Sequence, residues 1–345
     1  MFRVNLGKAL CAIAVALCGG VTQADEYPKM KMKMKMKMGH FLPATFAQAD
    51  VDQWFADEVK RRSNGAIEIE IFWAGAMGTA AELLGLASAG AMELAAFPKA
   101  YYPRQFGLSG VGSLPRVFGT VEQAHELMTR VFALPAVQAE HKKTKLKLLM
   151  SHFSNPYRIA CNKPVEDLGA MQGYRVRSTG EYIPVVFRSL GMVPVNTPAN
   201  EVYESLDRGN LNCTMLSYDQ MYSMRMYEVA EYASDINLGA LATWQIWMNA
   251  ATFERYPKKV QELLLEVGRE AMERDVAVAK EALKISEKAL VDKGVMFQAL
   301  KQPEKFRETV PSALEAWAKK MSGQGQAAPA ATILDVVKES AAAVR

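Results

Sequence analysis

Apolar and polar residues alternate strictly in two stretches near the start of the chain, 29–38 (KMKMKMKMKM) and 66–72 (AIEIEIF). A period of two is the signature of a strand with one covered face. The second stretch is bounded by Asn64-Gly65 and predicts a strand outright. The first fits an amphipathic strand and equally a low-complexity linker. The expectation is an exposed Lys-Met linker over 25–36, with the strand starting within its last few residues, near 35–38, and reaching Phe41. Between the two, Ala47, Val51, Trp54, Phe55 and Val59 recur at three- and four-residue spacing and predict a helix over 44–62. A glycine loop at 74–78, a helix over 80–89 and an apolar strand over 92–97 complete a β-α-β-α-β run. That order points to helices packed on a largely parallel sheet.

A second α/β set follows. Strands are expected at 145–153, 157–162, 173–178 and 211–217, with helices at 182–190 and 201–208 ended by Gly191 and Gly209. From Pro257 the texture becomes helical without interruption as far as Gly294. A helix of that length is on the order of 55 Å long, enough to brace two lobes. One amphipathic helix over 306–321, a Gly/Gln/Ala/Pro linker and a final helix at 333–344 close the chain. The fold class is α/β with two lobes, mixed sheets, hinge strands and the long helix bracing both. The spans are 37–150 for the first lobe, 151–250 for the second, 251–322 for the bracing and C-terminal helices, and 323–345 for the linker and last helix.

Residues 1–24 form a secretory signal. Arg3 and Lys8 precede a short apolar run, and Thr22-Gln23-Ala24 supplies small residues before a cleavage point at Asp25. The run is too short to cross a bilayer, so an exported, periplasmic chain that is not membrane-embedded is expected. A lipid anchor on Cys18 is disfavoured by the bulky Leu17 before it. Removing the leader takes two of the four cysteines, leaving Cys161 and Cys213. An oxidising compartment permits a disulfide, but spacing alone favours two buried small apolar side chains.

Half of the 345 residues are apolar and 23% are charged, proportions that exclude a disordered or collagen-like chain. The formal charge is +4. Without Arg3 and Lys8 it falls to +2, and without the five lysines of the repeat to −3. A broad electropositive face, and with it nucleic-acid binding, is therefore not expected. Dinucleotide and phosphate-loop fingerprints, zincin helices and the nucleophile elbow are all missing from the sequence, and its four histidines have no partners at ligand spacing. No cofactor or metal is expected.

Arg177 stands near the end of the strand Tyr174-Arg-Val-Arg-Ser, before a Thr179-Gly180 turn. In α/β sheets ligands sit beyond the carboxyl ends of strands, where an arginine can clamp a carboxylate bidentately. Taken alone, a surface or structural ion pair accounts for it as well. The context is more specific. Gly39-His40, the 58–71 segment, Ala74-Gly-Ala-Met-Gly78 with Glu82, Leu114-Pro115, Lys163-Pro164 with 166–168, Gly173-Tyr-Arg-Val-Arg177, Leu190-Gly191, Pro194, Glu201-Val-Tyr203, Leu206 and Gly209 follow one another in an order and spacing that covers about 38–318. Together they resemble the solute-binding subunits of tripartite ATP-independent periplasmic (TRAP) transporters, the DctP-type family.

That resemblance implies a two-lobed binder without catalysis, closing on a small organic-acid anion and delivering it to membrane subunits. It puts Arg177 on the ligand carboxylate, Arg158 near a second polar contact, and Glu82 as an acid orienting the arginine or the ligand. Phe41, Trp73, Phe97 and Trp244 lie near predicted strand ends and are candidate walls, and Tyr182 follows Arg177 closely. One departure matters: Leu216 stands where many members carry an asparagine that reaches the ligand, so Tyr218 or Asp219 is expected to supply polarity instead. The alternatives are an ABC-type or sensor-linked binding protein, an exported enzyme acting on a small acid, and a structural envelope protein.

Overall fold

The computed structural model describes residues 33–341 apart from 47. The expected leader, most of the expected linker and the last residues of the expected final helix lie outside the described residues. Two sheets organise the chain. The first has strands β1 (Met34–His40), β2 (Ile67–Phe72), β3 (Leu94–Phe97), β4 (Leu146–Phe153) and β10 (Ala242–Asn249), in the order β2-β1-β3-β10-β4. The second has β5 (Arg158–Cys161), β6 (Arg175–Ser178), β7 (Val193–Asn196), β8 (Cys213–Leu216), β9 (Tyr232–Ser234) and β11 (Met296–Gln298), in the order β11-β9-β5-β8-β6-β7.

The Lys-Met repeat resolves into structure from Met34 onward, so the strand takes in three residues of the expected linker. Met36 and Met38 are fully buried while Lys35 and Lys37 are exposed, as alternation requires. Parallel pairing with Ile67, Ile69 and Ile71 of β2 fixes the register, because a one-residue slip would turn the lysines inward.

The first sheet is not simply parallel. Strand β10, whose sequence carries no clean alternation, runs antiparallel between β3 and the edge strand β4. The end of β4 (151–153) and all of β10 belong to the first sheet, although they fall inside the 151–250 span assigned to the second lobe. The chain crosses between lobes over 154–157 and 235–241, and the two crossings are tied together. Ser154 and Tyr157 donate their backbone N–H groups to Leu241 and Gly239, and Leu238 donates to Tyr157.

The helix Lys258–Asp292 braces the lobes over about 52 Å. Val260, Leu263, Leu264, Val267 and Ala271 are buried in the core of the first lobe, and Leu290 in that of the second. It lies directly on β4 at Gly268, where an added Cβ would stand 2.3 Å from the Leu149 carbonyl oxygen. The helix expected over 306–321 is two helices, Pro303–Thr309 and Ala313–Gly323. Pro311 holds Val310 extended, and the Ser312 hydroxyl accepts from the Glu315 N–H to start the second. Phe306 and Val310 pack in the second lobe, Trp317 and Met321 in the first, so the break is another crossing. The last helix begins at Ala327, within the stretch expected to be linker.

Candidate functional site

Four strands point their carboxyl ends at one cleft between the sheets. Residues following β1 (Phe41, Leu42, Phe46), β3 (98–101), β6 (179–183) and β8 (Gln220) line it, as do Leu216 at the end of β8 and Trp244 of β10. The Ala313–Gly323 helix adds Trp317, Lys320 and Met321. This is where loops and free N–H groups gather in an α/β sheet.

Arg177 opens onto the cleft from β6, with 7% of its surface exposed. Its Nε–H donates to the Thr197 carbonyl at 3.2 Å, which fixes the plane of the guanidinium. Among the described residues no carboxylate pairs with it and its terminal amino groups have no hydrogen-bond partner, leaving its bidentate edge unused. Four further polar atoms on the wall are buried without a hydrogen-bond partner: Lys99 Nζ, Tyr182 Oη, Gln220 Oε1 and Trp244 Nε1. Burial pushes the Tyr182 hydroxyl up to about 12, so it is a neutral donor at ordinary pH.

Behind the wall lies a charged network with no solvent exposure. His152 stacks beneath Trp244, ring centres 4.1 Å apart. Its Nδ1 contacts Asp275 and its Nε2 contacts Asp52, both at 2.7 Å, while His40 holds the other Asp52 oxygen at 2.9 Å. Asp275 also accepts from Gln48 Nε2 at 2.7 Å and from the Phe153 N–H at 2.8 Å. Burial opposes charge on all of them. The paired carboxylates nevertheless hold His152 protonated by raising its pKa, and the two imidazoles hold Asp52 well below the usual carboxylate range. The network joins the first lobe, the end of β4 at the crossing and the bracing helix, and fixes the indole that faces the cleft.

Of the residues singled out in the sequence, Arg177, Phe41, Tyr182 and Trp244 meet in the cleft and the other six lie outside its lining. Arg158 donates to the Asp235 carbonyl at 2.6 Å and lies over the Tyr218 ring. Tyr218 donates its hydroxyl to the Ser234 carbonyl. Asp219 accepts from Asn155 Nδ2 at 3.0 Å, and burial raises its carboxyl. Trp73 packs on His40, ring centres 4.5 Å apart. Phe97 is wholly buried against Trp247. Glu82 accepts from the Thr79 backbone N–H and hydroxyl, bonds that lower its carboxyl.

Sequence reasoning missed Gln220, Lys99, Trp317 and the pair Lys320–Glu181, whose side chains meet at 2.5 Å from opposite sides of the cleft. Glu181 adjoins the Gly180 turn and was within reach of a local argument; Trp317 and Lys320 arrive from the far end of the chain and carry no local signal. Lys99 is 1% exposed, its ammonium over the Phe132 ring at 4.8 Å. Burial lowers it to about 7, against the pull of Glu140. The two cysteines are not free thiols as expected from their spacing. Cys161 of β5 and Cys213 of β8 are directly opposed in the antiparallel ladder and form a disulfide.

Known proteins resemble the whole described body. A solute-binding protein of Albidiferax ferrireducens is 26% identical over 250 residues, 71% of this chain and 70% of that one. Two solved structures share the fold. One, a marine-metagenome TRAP solute-binding protein specific for pyroglutamate, is 19% identical with a TM-score of 0.81, covering 89% of this chain and 99% of that one. The other, a TRAP solute-binding protein of Desulfovibrio salexigens with bound orotic acid, is 20% identical with a TM-score of 0.79, covering 91% and 100%. The family model DctP, bacterial extracellular solute-binding protein family 7, matches residues 38–321, and the chain belongs to that family of TRAP solute-binding proteins.

Proposed function

We propose that this protein is the periplasmic receptor of a TRAP-type transporter, capturing a small organic-acid anion by lobe closure and handing it to membrane subunits without chemistry. The observation that carries this reading is Arg177: a buried guanidinium that faces a cleft, oriented by Thr197 and lacking a carboxylate of its own. A buried charge is costly unless paired, so the site is incomplete until an anion enters. Phe41, Tyr182 and Trp244 complete the contact, the first and last from one lobe and the tyrosine from the other. The neighbours with pyroglutamate and orotic acid support an organic acid as the ligand. The leader over 1–24 supports export, and no described helix is long and apolar enough to cross a membrane.

The crossings at 154–157, 235–241 and 310–312 supply hinges, and the bracing helix keeps the lobes in register as they move. Calorimetry on Arg177→Ala and Arg177→Lys tests the reading against a panel of organic acids. Losing two charge-assisted hydrogen bonds removes about 3–5 kcal/mol, a weakening of at least 100-fold for alanine. Lysine keeps the charge but not the fork and should fall between. Unchanged affinity in the alanine variant, with its unfolding transition intact, would refute the proposal.

A further inference from the structure

The composition of the cleft wall narrows the ligand further, on the reading that Arg177 holds its carboxylate. Four charged side chains line the cleft among the described residues: Lys99, Arg177, Glu181 and Lys320. Glu181 and Lys320 neutralise each other. Lys99 turns its ammonium onto Phe132, which is not part of the wall. Lys99 is also lowered to about 7 by its burial, so Arg177 is the one permanently charged cation the wall offers a ligand. A second carboxylate entering this cleft would meet no partner, and an unpaired buried charge is heavily penalised.

Around that cation the surface is apolar. Phe41 and Phe46 set their rings edge-on to Trp244, with centres 6.1 and 5.4 Å away, and Met215, Leu216 and Met224 face them from the second lobe. The fully buried, unpartnered polar atoms of the wall are Lys99 Nζ, Tyr182 Oη, Trp244 Nε1 and Gln220 Oε1. They can serve one or two polar substituents. An acid with a mostly apolar body matches more of this wall than a sugar acid, which would set its hydroxyls against Phe41, Phe46, Met215, Leu216 and Trp244. Leu216, 6% exposed at the carboxyl end of β8, withholds the hydrogen bond a polar side chain would offer there.

We infer that the cleft selects a monocarboxylate with a bulky apolar or aromatic body over dicarboxylates and sugar acids, with Leu216 as a specificity-determining residue. The ring would pack among Trp244, Phe41 and Phe46 while Arg177 holds the carboxylate, as aromatic side chains offer large rigid contact area at low entropic cost.

The test is calorimetry and thermal shift on the ligand-stripped mature protein with phenylacetate, indole-3-acetate, succinate and D-galacturonate. At least one aromatic monocarboxylate should bind tenfold or more tighter than succinate and galacturonate, since each unpaired polar group costs about tenfold. In Leu216→Asn that ratio should fall at least fivefold, whereas Leu216→Met should preserve it. A ratio reports selectivity and does not move when a variant is merely less stable. Succinate or galacturonate binding as tightly as the aromatic acids would overturn the inference. If Arg177→Ala abolished that binding, the carboxylate-receptor reading would survive it. An unchanged ratio in Leu216→Asn would remove Leu216 from the argument and overturn its role. No binding by any of the four acids, with Arg177→Ala indistinguishable from the parent, would overturn both readings together.

Discussion

Gly268 is the point where the bracing helix touches the first sheet without a side chain between, and adding one methyl there should have a sign opposite to its usual effect. An alanine Cβ would lie 2.3 Å from the Leu149 carbonyl oxygen. A comfortable carbon–oxygen contact is about 3.3 Å, so helix and strand must part by roughly 1 Å. Leu149 is backbone in the middle of β4 and cannot rotate aside. A gap of that size forfeits a quarter to a half of the dispersion wells of the atoms it separates, here those of Leu264, Val267 and Ala271 against the sheet. Overpacking of this kind costs about 1–3 kcal/mol, while alanine recovers about 1 kcal/mol of helix propensity. Gly268→Ala should therefore lose up to about 2 kcal/mol. Gly85, exposed in the helix Leu83–Ser88 with nothing within 4 Å, provides the control. Gly85→Ala should gain about 0.5–1 kcal/mol. Urea unfolding of both variants beside the parent reads the difference as a midpoint shift at constant slope. A Gly268→Ala variant at least as stable as the parent would refute the claim that the helix sits directly on β4.

Two further outcomes follow from the same structure. Lys99, lowered to about 7, and His152, raised from 6.5 to about 10, act in opposite directions on stability. His152 contributes stability that is complete below its unfolded value of 6.5 and lost as pH rises through 10, whereas buried neutral Lys99 recovers stability as pH rises from 7 towards 10.5. The two offset each other between pH 7 and 10 in the parent; in Lys99→Met the fall should emerge at about 1 kcal/mol per pH unit, and chemical unfolding across that range showing no new slope would contradict it. Replacing Cys161 and Cys213 by serine together should cost about 2–4 kcal/mol, because the bond closes a loop of 52 residues. Reducing agent should destabilise the parent by the same amount and leave the double variant unmoved in a melting experiment.

Local patterns carried the strands of the cleft and its arginine. Alternation placed β2, and the Lys-Met repeat announced a strand although not its true start at Met34. Arg177 was legible because a short strand, a turn and a chain-long resemblance coincide on it. What was hidden depends on contacts far apart in sequence. The Trp317 Nε1–H donates to the Gly107 carbonyl across 210 positions, and neither residue signals the other. Strand β10 is interior because it pairs antiparallel with both β3 and β4, partners far away in sequence that its own periodicity does not signal. Trp73 and Phe97 are large aromatics near strand ends, and burial against His40 and Trp247 outweighs proximity to the cleft. The cysteines illustrate the general limit: their pairing follows from the β5–β8 register, which no count of intervening residues contains.

The division of the wall between lobes decides how selectivity would arise. Without the leader the chain carries a net charge of only +2, too little for strong long-range attraction of an anion, so capture rests on short-range geometry. Arg177 with Leu216 belongs to the second sheet, and Trp244 with Phe41 to the first. On the proposed reading, an open form offers the ligand one of these surfaces at a time, and only the closed form offers both. The carboxylate contact is common to every organic acid and cannot discriminate among them. The contact with the first lobe is made only on closure, so the body of the ligand governs how favourable closure is. A small dicarboxylate would engage Arg177 yet leave the aromatic wall unfilled, and closing on it would bury a charge against Trp244. Selectivity is then a property of the closing equilibrium, and it depends on the placement of Trp244, which His152, held by Asp275, stacks against from behind.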